Sequence, residues 1–94
     1  MVYKKLTIGI VGLGLIGGSM ARTYAAAGHK VFAAETNSKA LQAAIDEQVV
    51  TGSLTRDTAA LCDLILLNKK SGIKGDVDDL KSYYGNYKIT WLFG

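Results

Sequence analysis

Proline is absent from this chain of 94 residues, and cysteine, histidine and tryptophan occur once each. With no proline and no low-complexity tract or repeat, nothing marks an internal linker, and the length suits one small domain, residues 1–94, around one core. Cys62 alone forms no internal disulfide, which fits a reducing cytoplasm, the expected location. It lies beside an apolar run and is expected as a small core residue rather than a reactive thiol. One cysteine and one histidine cannot build a metal site, so none is expected. No Ser/His/Asp set is present. No apolar run approaches the roughly 20 residues of a membrane span. Met1-Val2-Tyr3-Lys4-Lys5 leads straight into an apolar segment, without a separate signal-like region. Lys and Arg number 11 against 8 Asp and Glu, a net charge of +3. These cations are scattered from Lys4 to Lys88 and do not alternate with aromatics, so nucleic acid is not an expected partner.

What is present is apolar residues and glycine: 49% of the chain is hydrophobic and 11 residues are Gly. The segment from Leu6 to Met20 reads as a buried strand, a glycine turn and the start of a helix. Within it, Gly12, Gly14 and Gly17 have the spacing G-x-G-x-x-G. Gly12 permits a tight turn out of the strand. Gly14, without a Cβ, lets a pyrophosphate approach the backbone. Gly17 lets the helix pack closely on the strand. Phosphates would rest on the free N–H groups of the helix N-terminus. The helix should run to about Ala27, with Gly28 just past its end. A second strand, Lys30 to Ala34, then delivers Glu35, 18 residues after Gly17. That is close to the spacing of about 20 expected of a carboxylate that holds an adenosine ribose. Such a carboxylate accepts hydrogen bonds from ribose hydroxyls and repels a 2′-phosphate, so the expected ligand is NAD rather than NADP. The expected cofactor-holding set is Gly12, Leu13, Gly14, Leu15, Ile16 and Gly17, with Glu35 and Thr36.

The remaining pattern alternates helix and strand. In the first helix Ile16, Met20 and Tyr24 recur at helical spacing and are expected to face a sheet. Ser38 is the expected N-cap of a second helix running to Glu47, with Ala40, Leu41, Ala44 and Ile45 on its apolar face. A short strand is expected at Val49 to Gly52, and a short helix at Asp57 to Leu61. The apolar run Asp63 to Leu67 suits a strand buried on both faces. A last helix is expected at Asp76 to Tyr84, with Val77, Leu80, Tyr83 and Tyr84 spaced at three, three and one. Gly85-Asn86 follows as a turn, and Tyr87 to Phe93 as a fifth strand. The expected fold is α/β, a Rossmann-type doubly wound parallel sheet of order 3-2-1-4-5.

Gly12 to Ser19, with Gly28-His29-Lys30-Val31, Glu35 and Cys62 to Leu67, resembles the NAD-binding domain of the prephenate and arogenate dehydrogenase family. The resemblance covers residues 6 to 67 well and 76 to 93 loosely. It implies oxidative decarboxylation of a cyclohexadienol on the route to tyrosine. Two features depart from the family's pattern. A proline-containing loop usually follows the fourth strand, where Asn68-Lys69-Lys70-Ser71 stands. An aspartate and then a serine usually follow the fifth strand, where the chain reads Trp91 to Gly94. The family's catalytic histidine, substrate-binding arginine and helical dimerisation domain would lie beyond residue 94.

No catalytic residue is therefore expected within the chain. Abstraction of a hydroxyl proton needs a base within hydrogen-bond reach. His29, the only histidine, lies in the turn before the second strand, whereas ligands of such sheets gather at the carboxyl ends. It is expected as a surface turn residue. Ser19 is expected to serve local backbone or phosphate contacts. Two readings stand. The chain is the NAD-binding portion of a prephenate dehydrogenase-like oxidoreductase, inactive alone, which meets prephenate or arogenate only with a second domain, with its own copies as the other candidate partner, in a homo-oligomer. Alternatively, it is a stand-alone NAD-binding module without chemistry.

Overall fold

The structure, a computed structural model, describes residues 4–68, 77–85 and 88–91. Strand β1 (Thr7–Val11) is followed by helix α1 (Gly14–Ala26), β2 (Lys30–Ala34), α2 (Ser38–Asp46), β3 (Gly52–Ser53), α3 (Arg56–Ala59), β4 (Leu64–Leu67), α4 (Val77–Tyr84) and β5 (Ile89–Trp91). The strands form one sheet of order β3-β2-β1-β4-β5, with every neighbouring pair parallel. This is the Rossmann-type topology expected from the alternation of patterns.

Side chains alternate across the central strand, so β1 feeds two cores. Ile8 and Ile10 join Leu13, Ala21, Val31, Ala33, Val50 and Leu66 on one face, beneath α1 and α2. Val11 joins Phe32, Leu54, Ile65, Leu67, Leu80, Tyr84 and Ile89 on the other, beneath α3 and α4. Burial on both faces explains the near-continuous apolar runs of the parallel strands.

Several elements differ from the sequence expectation. In α1 the residues that meet the sheet are Leu13, Gly17 and Ala21, all buried, with Met20 and Tyr24 flanking them, whereas Ile16 is 44% exposed. Small residues on the inner face draw the helix close, and bulkier ones take the flanks. The N-cap of α2 is Asn37 rather than Ser38: its Oδ1 accepts from the N–H of Lys39 at 3.0 Å and of Ala40 at 3.1 Å. An asparagine in extended conformation satisfies two orphan helix donors at once. Ala40 of the expected apolar face is exposed.

Strand β3 begins three residues later than expected, at Gly52, because Val49 and Val50 still donate their N–H groups back to Ala44 of α2. Helix α3 begins one residue early, behind a capping box in which Thr55 and Thr58 satisfy each other's backbone N–H groups. In α4 Tyr84 is buried but Tyr83 is 67% exposed, since adjacent helical positions point about 100° apart. Asp76, Asn86, Tyr87, Leu92 and Phe93, parts of the expected last helix, turn and strand, lie outside the described residues.

Cys62 is buried, as its place beside β4 implied, and its thiol donates to the Thr58 carbonyl at 3.5 Å. Burial, and secondarily the charge of Asp63, pushes its thiol up to about 11. The reactive thiolate is thus scarce at neutral pH. Iodoacetamide at pH 8 should alkylate native Cys62 about a hundredfold more slowly than Cys62 of the chain unfolded in urea. Similar rates in the two states would show that the thiol is neither buried nor raised.

Candidate functional site

The two central parallel strands of this sheet send their connections to opposite faces. Strand β1 leads to α1 on one side, and its neighbour β4 continues toward α4 on the other. Their carboxyl ends are the usual ligand position in open α/β sheets, and the glycine turn follows directly on β1 there.

Gly12 leaves β1 with φ 90°, a left-handed conformation that suits glycine. Its N–H closes the β1–β2 ladder on the Ala34 carbonyl at 2.7 Å. Gly17, in the first full turn of α1, has its Cα against the Gly12 carbonyl. A Cβ there would collide with the Gly12 oxygen and stand 3.1 Å from its carbonyl carbon. Backbone atoms cannot yield as a flexible side chain does, so only glycine allows this helix to start where it does. Gly14 is different. Its φ is +43°, and among the described residues the nearest atom to a Cβ built there is Asn68 Nδ2, at 3.6 Å, an ordinary contact distance.

Leu13 is the N-cap of α1 and makes no side-chain cap hydrogen bond, and no acidic residue stands in the first turn. Its side chain belongs to the core. The helix therefore begins with N–H groups that no side chain of its N-cap satisfies, next to Gly14, an arrangement that favours a phosphate. Ile16 is exposed, and Leu15 belongs to the same helical turn. Ser19 stands a further turn along and is exposed; its carbonyl accepts from the Thr23 hydroxyl at 3.0 Å.

Glu35 follows β2 and reaches the glycine turn. Its Oε1 accepts the Leu13 N–H at 2.9 Å, and its Oε2 accepts the Asn37 N–H at 2.7 Å and the Thr36 hydroxyl at 3.3 Å. One carboxylate thus ties the glycine turn to the loop that opens α2. Partial burial raises its pKa, but the N–H groups of Asn37 and Leu13, the Thr36 hydroxyl and the Gly14 N–H together outweigh it. The carboxyl is held below its ordinary value of 4.5. An ionised carboxylate offers about four lone-pair directions, as many as the donors named here, and the Thr36 hydroxyl at 3.3 Å makes the longest of the measured bonds.

Sequence reasoning missed Asn68. It ends β4, is buried, and donates its side-chain amide to the Gly12 carbonyl at 3.3 Å. A polar residue closing an apolar run beside a glycine fingerprint was the available signal.

His29 lies at the opposite end of the sheet. Its Nδ1 accepts the Leu6 N–H at 3.0 Å and its ring packs edge-on against Tyr24. It lines an open depression of about 580 Å³ with Lys4, Lys5, Leu6 and Ala27. That depression borders the amino ends of the strands, remote from the glycine turn. The ring is thus a structural link between β1 and the turn before β2. Among the described residues no three His, Cys, Asp or Glu converge as a metal site would require, and no helix is long and apolar enough to cross a membrane.

Residues 7–77 match the family described as the NAD binding domain of 6-phosphogluconate dehydrogenase. Among solved structures the chain is similar to prephenate dehydrogenase from A. aeolicus in complex with hydroxyphenyl propionate and NAD+. The TM-score is 0.62 at 18% identity, over 96% of this chain and 32% of that one. At that identity the likeness is one of fold. The chain spans about a third of the length of that dehydrogenase. No curated protein matches the sequence.

The Glu35 clamp has a pH signature. A carboxyl whose folded-state pKa is lowered adds stability that is complete above the unfolded value and is lost as pH falls through the folded one. Resistance to urea should decline as pH drops below the ordinary 4.5. In Glu35→Gln the amide can accept one of the two N–H groups but turns a donor toward the other. This variant should be less stable at pH 7 and show a shallower acid decline. Identical acid profiles for the two proteins would contradict the clamp.

Proposed function

We propose, from the premise that this chain belongs to the family of NAD-binding domains typified by that of 6-phosphogluconate dehydrogenase, that it holds NAD for an oxidoreductase of the prephenate dehydrogenase type. The observation that carries the proposal is the convergence of the Gly14 backbone, a start of α1 that its N-cap side chain leaves unbonded, and the Glu35 carboxylate at the carboxyl end of β1. Gly12, Leu13, Gly14, Leu15, Ile16 and Gly17 would surround the pyrophosphate, and Glu35 with Thr36 the adenosine ribose. NAD, when bound, supplies a hydride acceptor. The residues of this chain bind and orient it: N–H groups and the helix dipole meet the phosphate charge, and Glu35 accepts from the ribose hydroxyls.

The substrate assignment, prephenate or arogenate on the route to tyrosine, is supported by the Gly12 to Ser19 run and by the shared fold. A small anionic substrate of this kind would need a base and an enclosing wall. His29 is engaged at the wrong edge of the sheet, so the described residues act as a binding module, and the base and wall are proposed to come from a further domain. The cytoplasm is the proposed compartment, supported by the reduced, buried Cys62.

Calorimetric titration should show NAD binding more tightly than NADP, because Glu35 repels a 2′-phosphate. Glu35→Ala should weaken NAD by about 1.5–3 kcal/mol, the worth of a hydrogen bond to a charged group. Equal affinities for the two dinucleotides would overturn the ribose assignment. Gly14→Ala should remain folded, at about 1 kcal/mol for the left-handed φ, yet lose NAD because its methyl would stand where the pyrophosphate approaches. Unchanged NAD affinity in that variant would show that no phosphate rests there.

The chain alone should form no NADH from prephenate at an enzymic rate. Lack of a positioned base typically removes about 10²–10⁴-fold, and lack of substrate orientation removes up to roughly 7–11 kcal/mol of barrier lowering. Turnover by the purified chain would reveal a catalytic group in the residues at hand.

A further inference from the structure

The Gly12 carbonyl occupies an unusual position. The left-handed turn at Gly12 directs it toward the start of α1, where Gly17 presses against it and shuts out solvent. A backbone acceptor enclosed in this way needs a donor. The helix does not supply one, since the Gly18 N–H goes to the Leu13 carbonyl at 2.6 Å. Asn68 supplies it from across the sheet, 56 residues away in sequence, through Nδ2 at 3.3 Å.

Asn68 is itself held in place. Its backbone N–H continues the β1–β4 ladder onto the Val11 carbonyl at 2.9 Å. Among the described residues it is the one buried polar side chain, 8% exposed. Its amide nitrogen also lies 3.4 Å from where a Gly17 Cβ would stand and 3.6 Å from where a Gly14 Cβ would stand. The amide thus fills the space beneath all three glycines of the fingerprint.

We propose that Asn68 is the positioning residue of the glycine turn: its amide, donated to the Gly12 carbonyl, holds Gly12 to Gly17 in the shape that receives a dinucleotide pyrophosphate. The part of this proposal that concerns the ligand rests on the NAD reading above; the part that concerns the turn does not. The required chemistry is specific. A hydrogen-bond donor is needed at that point, so a leucine of similar size leaves the carbonyl orphaned, and a carboxylate of the same shape sets oxygen against oxygen.

The test combines amide hydrogen exchange of the free chain with NAD calorimetry, on the unaltered protein, Asn68→Leu and Asn68→Asp. In Asn68→Leu the N–H groups of Leu13 and Gly18 should exchange faster while Ile8, Ile10 and Ile65 in the strands stay protected, and NAD should bind about tenfold more weakly. Asn68→Asp should behave the same way at pH 8. On acidification to pH 5.5 it should regain part of the turn protection and NAD affinity, because burial against the Gly12 carbonyl raises the carboxyl above its ordinary range and the protonated form donates as the amide did. A residue that merely stabilised the fold would raise exchange throughout the sheet and would give no recovery with acid. Unchanged turn exchange in both variants, or a uniform rise across the strands, would overturn the proposal. A loosened turn with unaltered NAD affinity would overturn its ligand half. If the unaltered chain fails to bind NAD while the turn responds as described, the NAD reading falls and the positioning role of Asn68 stands.

Discussion

The structure depends on the contact between the Cα of Gly17 and the carbonyl of Gly12. No side chain can stand between them, so α1 begins directly over the exit of the central strand. From that placement follow the burial of Leu13 and Ala21 against the sheet and the direction of the free N–H groups. Overpacking a close-packed site typically costs about 1–3 kcal/mol even where side chains can shift. Here the obstacle is backbone, which shifts less. The motif is thus first a packing constraint, and its capacity for phosphate is a consequence of how that constraint is met.

Two side chains from flanking strands complete the turn. Glu35, after β2, takes the Leu13 N–H from one side; Asn68, after β4, gives an N–H to the Gly12 carbonyl from the other. One accepts and one donates, as the exposed backbone groups of a tight turn require. Glu35 is the more consequential for recognition, since the bonds that orient it also keep it ionised. A carboxylate oriented before the ligand arrives loses less entropy on binding a ribose than a free one would. In the proposed site the same group supports the turn and repels a second phosphate.

Much of this was legible in the sequence, because the decisive signals are local. The glycine spacing, the apolar runs of β1 and β4 and the position of Glu35 each follow from neighbours in the chain, and the strand order follows from the regular alternation of helix and strand. What escaped was set by tertiary packing. Ile16, Met20 and Tyr24 have a good helical period, yet the sheet accepts only the small face of α1, so Ile16 is outside. Asn37 rather than Ser38 caps α2 because the Glu35 bond fixes the Asn37 backbone one residue earlier. His29 was legible as a turn residue, but its bond to the Leu6 N–H needs the fold. The bond from Asn68 to Gly12 joins residues far apart in the chain, which no local pattern encodes.

NAD is proposed to be held at the carboxyl edge of the sheet, at the glycine turn. A two-dimensional amide NMR titration of the chain with NAD tests this. Shifts should concentrate at Leu13, Gly14, Gly17, Thr36 and Asn68, with Lys5, Leu6 and His29 at the opposite edge unmoved. Shifts centred on Lys5, Leu6 and His29, or no localised shifts at saturating NAD, would contradict it.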